Sequence, residues 1–337
     1  MVPGTLTDRF GRKHRSLRVS VTDVCNIRCQ YCMPADSAEF MPQETQLSFE
    51  AIERFVRWVA VAGVNRVRLT GGEPLLRKGL ASLVHRLAAI NELETLALTT
   101  NGMLLRGQVD ELAEAGLQKI NISLDTLSED VFERISRRKG LDQVLDGIES
   151  ALQHPGLEVK LNALVLRDVN LDGIHQLVEF AVERQLTLRF IEFMPLDAER
   201  AWSQGRMVSG EELREHIQSQ FGELVPVQNQ EPTRPSRDYR FVDNRGGLLG
   251  FIDSVSNPFC GACDRIRLTA DGKLRNCLFG TEEWNVAELI SGEEFGSVQS
   301  AELAKTLQAC ISAKHAAHGI ANSDFEQPER PMYQIGG

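Results

Sequence analysis

Leu17, Val19 and Val21 alternate with Arg18, Ser20 and Thr22, the period of a short half-buried strand. Phe49, Ile52, Phe55, Val56 and Val59 then recur at helical spacing over 48–62, with Ser48 placed to cap the start, Glu50 in the first turn and Gly63 to end it. From there the two periods alternate. Strand 67–69 precedes a helix over 76–90, strand 95–99 a helix around 104–115, and strand 118–123 helical segments over 129–136 and 141–153. Strand 157–165 precedes a helix over 171–184, and strand 187–193 ends at Met194-Pro195. Six such strands predict right-handed parallel βα units, with polar and glycine residues after the strands forming the functional face. Six units are too few for a closed eight-stranded barrel. The expected α/β fold is therefore an open, incomplete (β/α)6 barrel over 1–220 whose mouth needs a cover. Beyond about residue 220 the pattern changes. Pro226, Pro232, Pro235, Gly246 and Gly247 punctuate a loop-rich or short-strand stretch, Asp271-Gly272 between two short alternating runs predicts a hairpin, and a helix is expected around 300–315. This region, 221–337, is expected to cover the barrel mouth.

Composition narrows the classes. The chain has 337 residues, 42% hydrophobic and 25% charged, enough for a substantial core. No apolar run is long enough to span a bilayer, and no apolar signal core opens the chain, so no membrane and a cytoplasmic location are expected. In that reducing compartment seven cysteines point to metal sites rather than disulfides. A net charge of −10 argues against broad nucleic-acid binding, and an anionic substrate would need arginines gathered locally.

Two cysteine groups supply the chemistry. Cys25-x3-Cys29-x2-Cys32 sits on the loop leaving the first strand. Three thiolates hold three corners of an iron–sulfur cube, which takes four when fully ligated, and so leave one iron open. Zinc would need a fourth ligand, and no histidine lies close in sequence; a thioredoxin-like motif would use Cys29 and Cys32 and leave Cys25 idle. Cys260-x2-Cys263-x13-Cys277 is a second triad. By spacing alone a zinc site completed by Cys310, His315 or His318 stands level with a second cluster, and Arg265 and Arg267 just downstream tip the balance toward an anionic ligand beside an open iron. Cys310 otherwise reads as a buried helix residue, His315-x2-His318 as solvated surface, and Arg28, Arg66 and Arg77 as solvated faces. Gly71-Gly72 follows a strand and either makes a tight turn or lets a ligand approach the backbone. Arg18, Arg68 and Lys160 lie in strands, facing solvent or a ligand; together, in an acidic chain, they favour a gathered anion site.

The first cysteine motif, with its aromatic before the last cysteine, resembles the radical S-adenosylmethionine (SAM) superfamily. Asp8-Arg-Phe-Gly-Arg-Lys-His14, Leu17-Arg-Val-Ser-Val-Thr-Asp23, Tyr31-Cys-Met-Pro34, Arg68-Leu-Thr-Gly-Gly-Glu-Pro-Leu-Leu-Arg77, Thr99-Thr-Asn-Gly102, Asn121-Ile-Ser-Leu-Asp125, Phe190-Ile-Glu-Phe-Met-Pro195, the 260–277 stretch and the final Gly-Gly resemble the GTP 3′,8-cyclase family, which opens molybdenum cofactor biosynthesis. The resemblance runs from about residue 8 to the last and implies a TIM-type partial barrel of radical SAM kind.

It implies further that Cys25, Cys29 and Cys32 hold a [4Fe–4S] cluster whose open iron takes SAM, and that Tyr31, Gly72, Ser123 and Met194 bind SAM. Arg18, Arg68, Thr99, Lys160, Arg265, Ile266 and Arg267 would bind GTP. Cys260, Cys263 and Cys277 would hold a second [4Fe–4S] cluster facing the guanine. Arg265, Arg267, Gly336 and Gly337 would be needed for catalysis, the tail reaching into the site. A 5′-deoxyadenosyl radical would take hydrogen from ribose C3′, and C3′ would attack C8. The implied partners are GTP, an electron donor and cyclic pyranopterin monophosphate synthase as the next enzyme, with a homodimer as the family's habit. The rivals are a peptide-modifying radical SAM enzyme with an auxiliary cluster, a non-catalytic iron–sulfur sensor and a zinc-stabilised structural protein.

Overall fold

The computed structural model describes residues 5–336 apart from 37, 293–294, 321 and 323–324. The chain opens with β1 (Ser16–Ser20), α1 (Phe49–Val61), β2 (Arg66–Thr70), α2 (Leu80–Ala88), β3 (Thr95–Thr100), α3 (Val109–Glu114) and β4 (Lys119–Ser123). Then come α4 (Glu129–Ser136), α5 (Leu141–Leu152), β5 (Glu158–Val165), α6 (Ile174–Glu183), β6 (Thr187–Glu192) and α7 (Gly210–Phe221). The remainder is β7 (Leu224–Pro226), β8 (Arg237–Phe241), β9 (Leu248–Ile252), β10 (Arg265–Leu268), β11 (Lys273–Arg275), β12 (Trp284–Asn285), α8 (Ala287–Ser291), α9 (Ser297–Ser312) and α10 (Met332–Ile335). Ser48 caps α1 by accepting from Ala51 N at 3.1 Å. The expected helix over 76–90 begins late: Pro74–Leu76 is a 3-10 turn, and Gly79 at φ +76° breaks the chain before α2. The helix near 104–115 is likewise split by the 3-10 turn Leu105–Gly107.

Among the described residues the strands form one sheet in the order β12-β11-β10-β1-β2-β3-β4-β5-β6-β9-β8-β7. β1 to β6 run parallel in sequence order, as the six alternations require. The C-terminal part does more than cover a mouth. β10 adds parallel to β1 and β9 adds parallel to β6, so both edges of the sheet are extended from the same distant segment. Leu249 and Phe251 on β9, and Ile266 and Leu268 on β10, give these strands the apolar face that lets them join. The turn at Asp271-Gly272 links β10 to β11 antiparallel, as expected.

One face of each parallel strand feeds a continuous core. Leu17, Val19, Val67, Leu69, Leu96, Leu98, Ile120, Ile122, Leu188 and Phe190 pack with Ile52, Phe55, Val56, Leu83, Leu87, Val144, Ile148, Leu177 and Val178 of the helices. The residues that alternate with them are free to face inward, and they are the polar ones. At the ends of β1 and β2 two loops are pressed together. Gly72 N donates to Thr22 O and Glu73 N to Val24 O, both at 2.8 Å. A Cβ on Gly72 would lie 2.4 Å from the carbonyl oxygens of Asp23 and Val24. Glycine is needed here because backbone meets backbone. Gly72→Ala is expected to cost about 3 kcal/mol or more in chemical denaturation. Gly107→Ala, whose Cβ would meet nothing within 4 Å, should stay within about 0.5 kcal/mol of wild type.

Candidate active site

The inward face encloses a cavity of about 590 Å³. Arg18, Arg68, Thr99, Asn121, Ser123, Lys160, Asn162 and Arg189 reach it from β1 to β6, and Arg265 and Arg267 from β10. Register places Arg267, Arg18 and Arg68 side by side on three adjacent strands, which lie about 5 Å apart. Burial, then repulsion from Arg265, Arg267 and Arg68, pushes Arg18 far below its ordinary range. Burial, then Arg189 and Arg265, brings Arg68 down to about 10; burial, then Arg265, brings Arg267 to about 9. Among the described residues Arg18, Arg68, Arg189, Arg265 and Arg267 make no ion pair. Arg68 donates instead to Leu98 O at 3.2 Å and Thr99 Oγ1 at 3.3 Å, and Arg267 to Gly336 O at 2.5 Å. Lys160 also faces the cavity but is paired with Glu158 at 2.5 Å. Ile266 turns its side chain into the core opposite Leu17, which leaves a ligand only its backbone.

Three arginines expected on solvated faces are half-buried and engaged in contacts. Arg66 lines the cavity and pairs with Asp264 at 2.6 Å and Glu231 at 3.0 Å, because its position in β2 has the same inward parity as Arg68. Arg28 donates to Cys25 O and Ile27 O, and Arg77 to Val21 O and Leu47 O; both brace the first cysteine loop or its neighbours.

Cys25, Cys29 and Cys32 lie half-buried and free on that loop. Cys32 N and Met33 N both donate to Cys29 O at 2.9 Å, a tight backbone turn between the second and third cysteines. Burial pushes the Cys25 thiol up to about 11 and Cys29 and Cys32 higher still. Beside them is a recess lined by Cys29, Tyr31, Asn101, Ser123 and Asp125, and Tyr31, Ser123 and Asp125 line the cavity too. Met194 also lines the cavity, whereas Gly72 lies against the loop at Asp23 and Val24. Tyr31 Oη donates to Asp125 Oδ2 at 2.7 Å, so the ring is tethered rather than packed as plain core.

Cys260, Cys263 and Cys277 line the cavity directly, also half-buried and free. Burial raises Cys260, while Cys263 ends below its ordinary value because Lys314 and Arg265 outweigh burial. The zinc alternative lacks its fourth ligand. Cys310 is buried in α9, as expected. His315 is exposed and its carbonyl accepts from Arg12. His318 is not surface: it lines the cavity, its Nδ1 accepts from Ile320 N, and its Nε2 therefore donates to Ser254 O at 2.9 Å. No lone pair remains for a metal. Among the described residues no three His, Cys, Asp or Glu side chains are gathered as a single ion requires. Two triads of free thiols suit clusters several ångströms across.

The C-terminal segment enters this space. Arg330 anchors it through Asp271 at 2.8 and 3.0 Å, and Gly336 is buried against Ser20 and Thr70 at the ends of β1 and β2. Gly337 lies outside the described residues.

Known proteins carry the same plan. The Radical SAM superfamily model matches residues 19–181, and the Molybdenum Cofactor Synthesis C model matches 186–320. The GTP 3′,8-cyclase of Rhodopirellula baltica is 47% identical over 99% of this chain and 93% of its own length. The enzyme of that name from Streptomyces coelicolor is 39% identical over 98% and 96%. The chain belongs to the GTP 3′,8-cyclase family. Among solved structures, Streptococcus suis SuiB bound to S-adenosylmethionine superposes with a TM-score of 0.59 at 14% identity, covering 95% of this chain and 77% of SuiB. anSMEcpe with bound AdoMet gives 0.58 at 14%, covering 94% and 93%. At that identity they show the shared radical SAM fold. SAM and two [4Fe–4S] clusters come with the cyclase family, and the donor set here fits them: two triads of unpaired thiols, each short of the fourth ligand of a closed cube.

The cyclase family's sequence motifs left some side chains unassigned. Arg189 and Asn162, paired in register on β6 and β5, both line the cavity, and Oδ1 of Asn162 has no partner. The alternation Leu188, Arg189, Phe190, Ile191 is the signal that points Arg189 inward. Glu73 follows Gly72 in the loop after β2. It is 1% exposed, accepts from Thr100 Oγ1, Asn101 N and Leu75 N at 2.7–3.0 Å, and ties the loops after β2 and β3 together. Burial pushes its carboxyl up to about 7. A raised carboxylate value means the folded state holds a proton that the unfolded state releases, so this group lowers stability as pH rises from about 4.5 to 7, by about 3 kcal/mol in all. His14, lowered to about 4 chiefly by burial, acts with the opposite sign over much of that window. The check is the difference in thermal midpoint between wild type and Glu73→Gln from pH 5 to 8. It should shift in favour of the variant from pH 5 to about 7 and level off above that; a constant difference would contradict the assignment.

Proposed function

We propose that this chain is a GTP 3′,8-cyclase, catalysing the first step of molybdenum cofactor biosynthesis. The carrying observation is the set of five arginines without carboxylate partners among the described residues, facing one cavity that the second cysteine triad lines and the C-terminal tail enters. A triphosphate is the kind of ligand that repays gathering them, because each guanidinium gives paired donors to phosphate oxygens.

In this reading Arg18, Arg68, Arg265 and Arg267 hold the triphosphate and Lys160 leaves Glu158 to join them. Thr99 adds a hydroxyl, and Ile266 offers backbone. Cys260, Cys263 and Cys277 hold the cluster that faces the guanine. Cys25, Cys29 and Cys32 hold the cluster that takes SAM, and Tyr31, Ser123, Met194 and the backbone at Gly72 seat the SAM molecule. When bound, that cluster and SAM supply a 5′-deoxyadenosyl radical. The hydrogen removed is the one on ribose C3′, the bond formed joins C3′ to C8 of guanine, and one electron and one proton complete 3′,8-cyclo-7,8-dihydro-GTP. The protein's contribution is position: the arginines fix the phosphates, Gly336 closes the space, and Arg267 is held for the reaction by the Gly336 carbonyl. The same reading calls for an external electron donor in the cytoplasm and hand-off of the product to cyclic pyranopterin monophosphate synthase. A homodimer completes it.

The test is anaerobic. Protein loaded with iron and sulfide, given dithionite, SAM and GTP, should yield 5′-deoxyadenosine and a cyclised product of GTP mass by mass spectrometry. Cys263→Ser should still cleave SAM while leaving GTP intact, and Cys29→Ser should do neither. Arg267→Ala should lower kcat/KM by about 100-fold or more. Deoxyadenosine from wild type with GTP untouched would remove the substrate, and none from protein with intact clusters would remove the enzyme.

A further inference from the structure

Lys314 lies two residues past α9 and is 3% exposed. Its Nζ donates to Arg265 O and to Asn276 O, both at 2.8 Å. Asn276 precedes Cys277 and Arg265 is two residues past Cys263. One ammonium therefore ties together the two segments that carry these cysteines. Among the described residues it has no carboxylate partner. The nearby acids are engaged: Asp264 by Ser16 and Arg66, Asp8 by Arg12 and His14. An ammonium buried without counter-charge is costly, even with its N–H groups satisfied by carbonyls.

The residues around it are braced in the same direction. The Arg12 guanidinium donates to Cys260 O at 2.8 Å, to His315 O at 2.7 Å and to Ala316 O at 3.3 Å, and its Nε is held by Asp8 at 2.6 Å. Asn276 Nδ2 donates to Cys310 O at 2.8 Å, fixing the Cys277 segment to the end of α9. His318 lines the same cavity as Cys260, its ring fixed by Ser254 O and Ile320 N. The segment 314–318 is thus wrapped around the triad without contributing a ligand to it.

We propose that Lys314 is a positioning residue of the second cluster, clamping the Cys263 and Cys277 segments and supplying the counter-charge for a cluster held by three thiolates. The inference rests on the reading that Cys260, Cys263 and Cys277 hold a four-iron cluster. A cube with three thiolates carries net negative charge, and reduction adds one more; a fixed cation beside it favours the reduced form and raises its potential. In turn, loading the cluster relieves the isolated ammonium, so cluster binding and stability are linked through this residue.

The experiment uses full-length protein with Cys25, Cys29 and Cys32 replaced by Ala, so that only the second cluster is present. Lys314→Met, Lys314→Gln and Lys314→Arg are compared by anaerobic redox titration followed by electron paramagnetic resonance, and by thermal midpoints before and after loading. The midpoint potential should shift negative in the Met and Gln variants and stay near the parent's in Arg. The thermal gain on loading should shrink in Met and Gln, while their unloaded forms are no less stable than the parent. An unmoved potential with an unmoved loading gain would overturn the inference alone. Unloaded Met and Gln variants that fail to fold would overturn it too, since the lysine would then serve the fold without the cluster. A parent that binds no four-iron cluster would overturn the ligand assignment, and this inference with it.

Discussion

Arg267, Arg18 and Arg68 stand abreast on β10, β1 and β2, with Arg189 and Arg265 on the same cavity. Like charges directly opposite one another on a sheet are destabilising, and Arg267 is buried while the others are half-buried. The fold holds them there because the alternating residues of the same strands, Leu17, Val67 and Ile266, are locked into the core behind. Moving any of these arginines outward would move a core residue inward to the cavity. The sheet thus stores electrostatic cost at one place and offers it to an anion. Much else in the molecule can be understood as support for that arrangement.

The tail is part of the support. Gly336 sits at φ +78°, and a Cβ there would come within 3.0 Å of both Ser20 and Thr70. Only glycine fits such a narrow gap in that conformation. Its carbonyl takes up an Arg267 N–H, and Tyr333, three residues earlier, meets Phe40 edge-on with ring centroids 6.2 Å apart, on the chain that follows Cys32. One short helix, anchored by Arg330 on Asp271, therefore touches the stretch that follows the first cysteines and an arginine next to the second triad. It links the two cysteine-bearing regions while lying far from either triad in sequence.

The parallel units were legible because each strand from β1 to β6 carries its own alternation and each helix its own apolar face. The cysteine triads were legible from spacing, and helix boundaries shifted where a short 3-10 turn opens the helical stretch, at Pro74–Leu76, Leu105–Gly107 and Leu171–Gly173. What sequence could not show was pairing between distant segments. Nothing local in Arg265-Ile-Arg-Leu says that it will lie parallel to β1, and until it does Arg265 and Arg267 have no defined relation to Arg18. Arg66 was assigned outward for the same reason, since its partners Asp264 and Glu231 come from the far half of the chain. His318, read as surface, is drawn inside by the wrapping of 314–318 around the second triad.

The central claim is that the cavity is built around a polyphosphate, and the most direct test compares ligands that differ only there. Equilibrium dialysis of anaerobically loaded protein against GTP and against guanosine should show GTP binding about 100-fold tighter or more, with the difference shrinking as salt rises. Guanosine binding as tightly as GTP, at every salt concentration, would contradict the account, because the arginines would then be holding nothing that the nucleoside lacks.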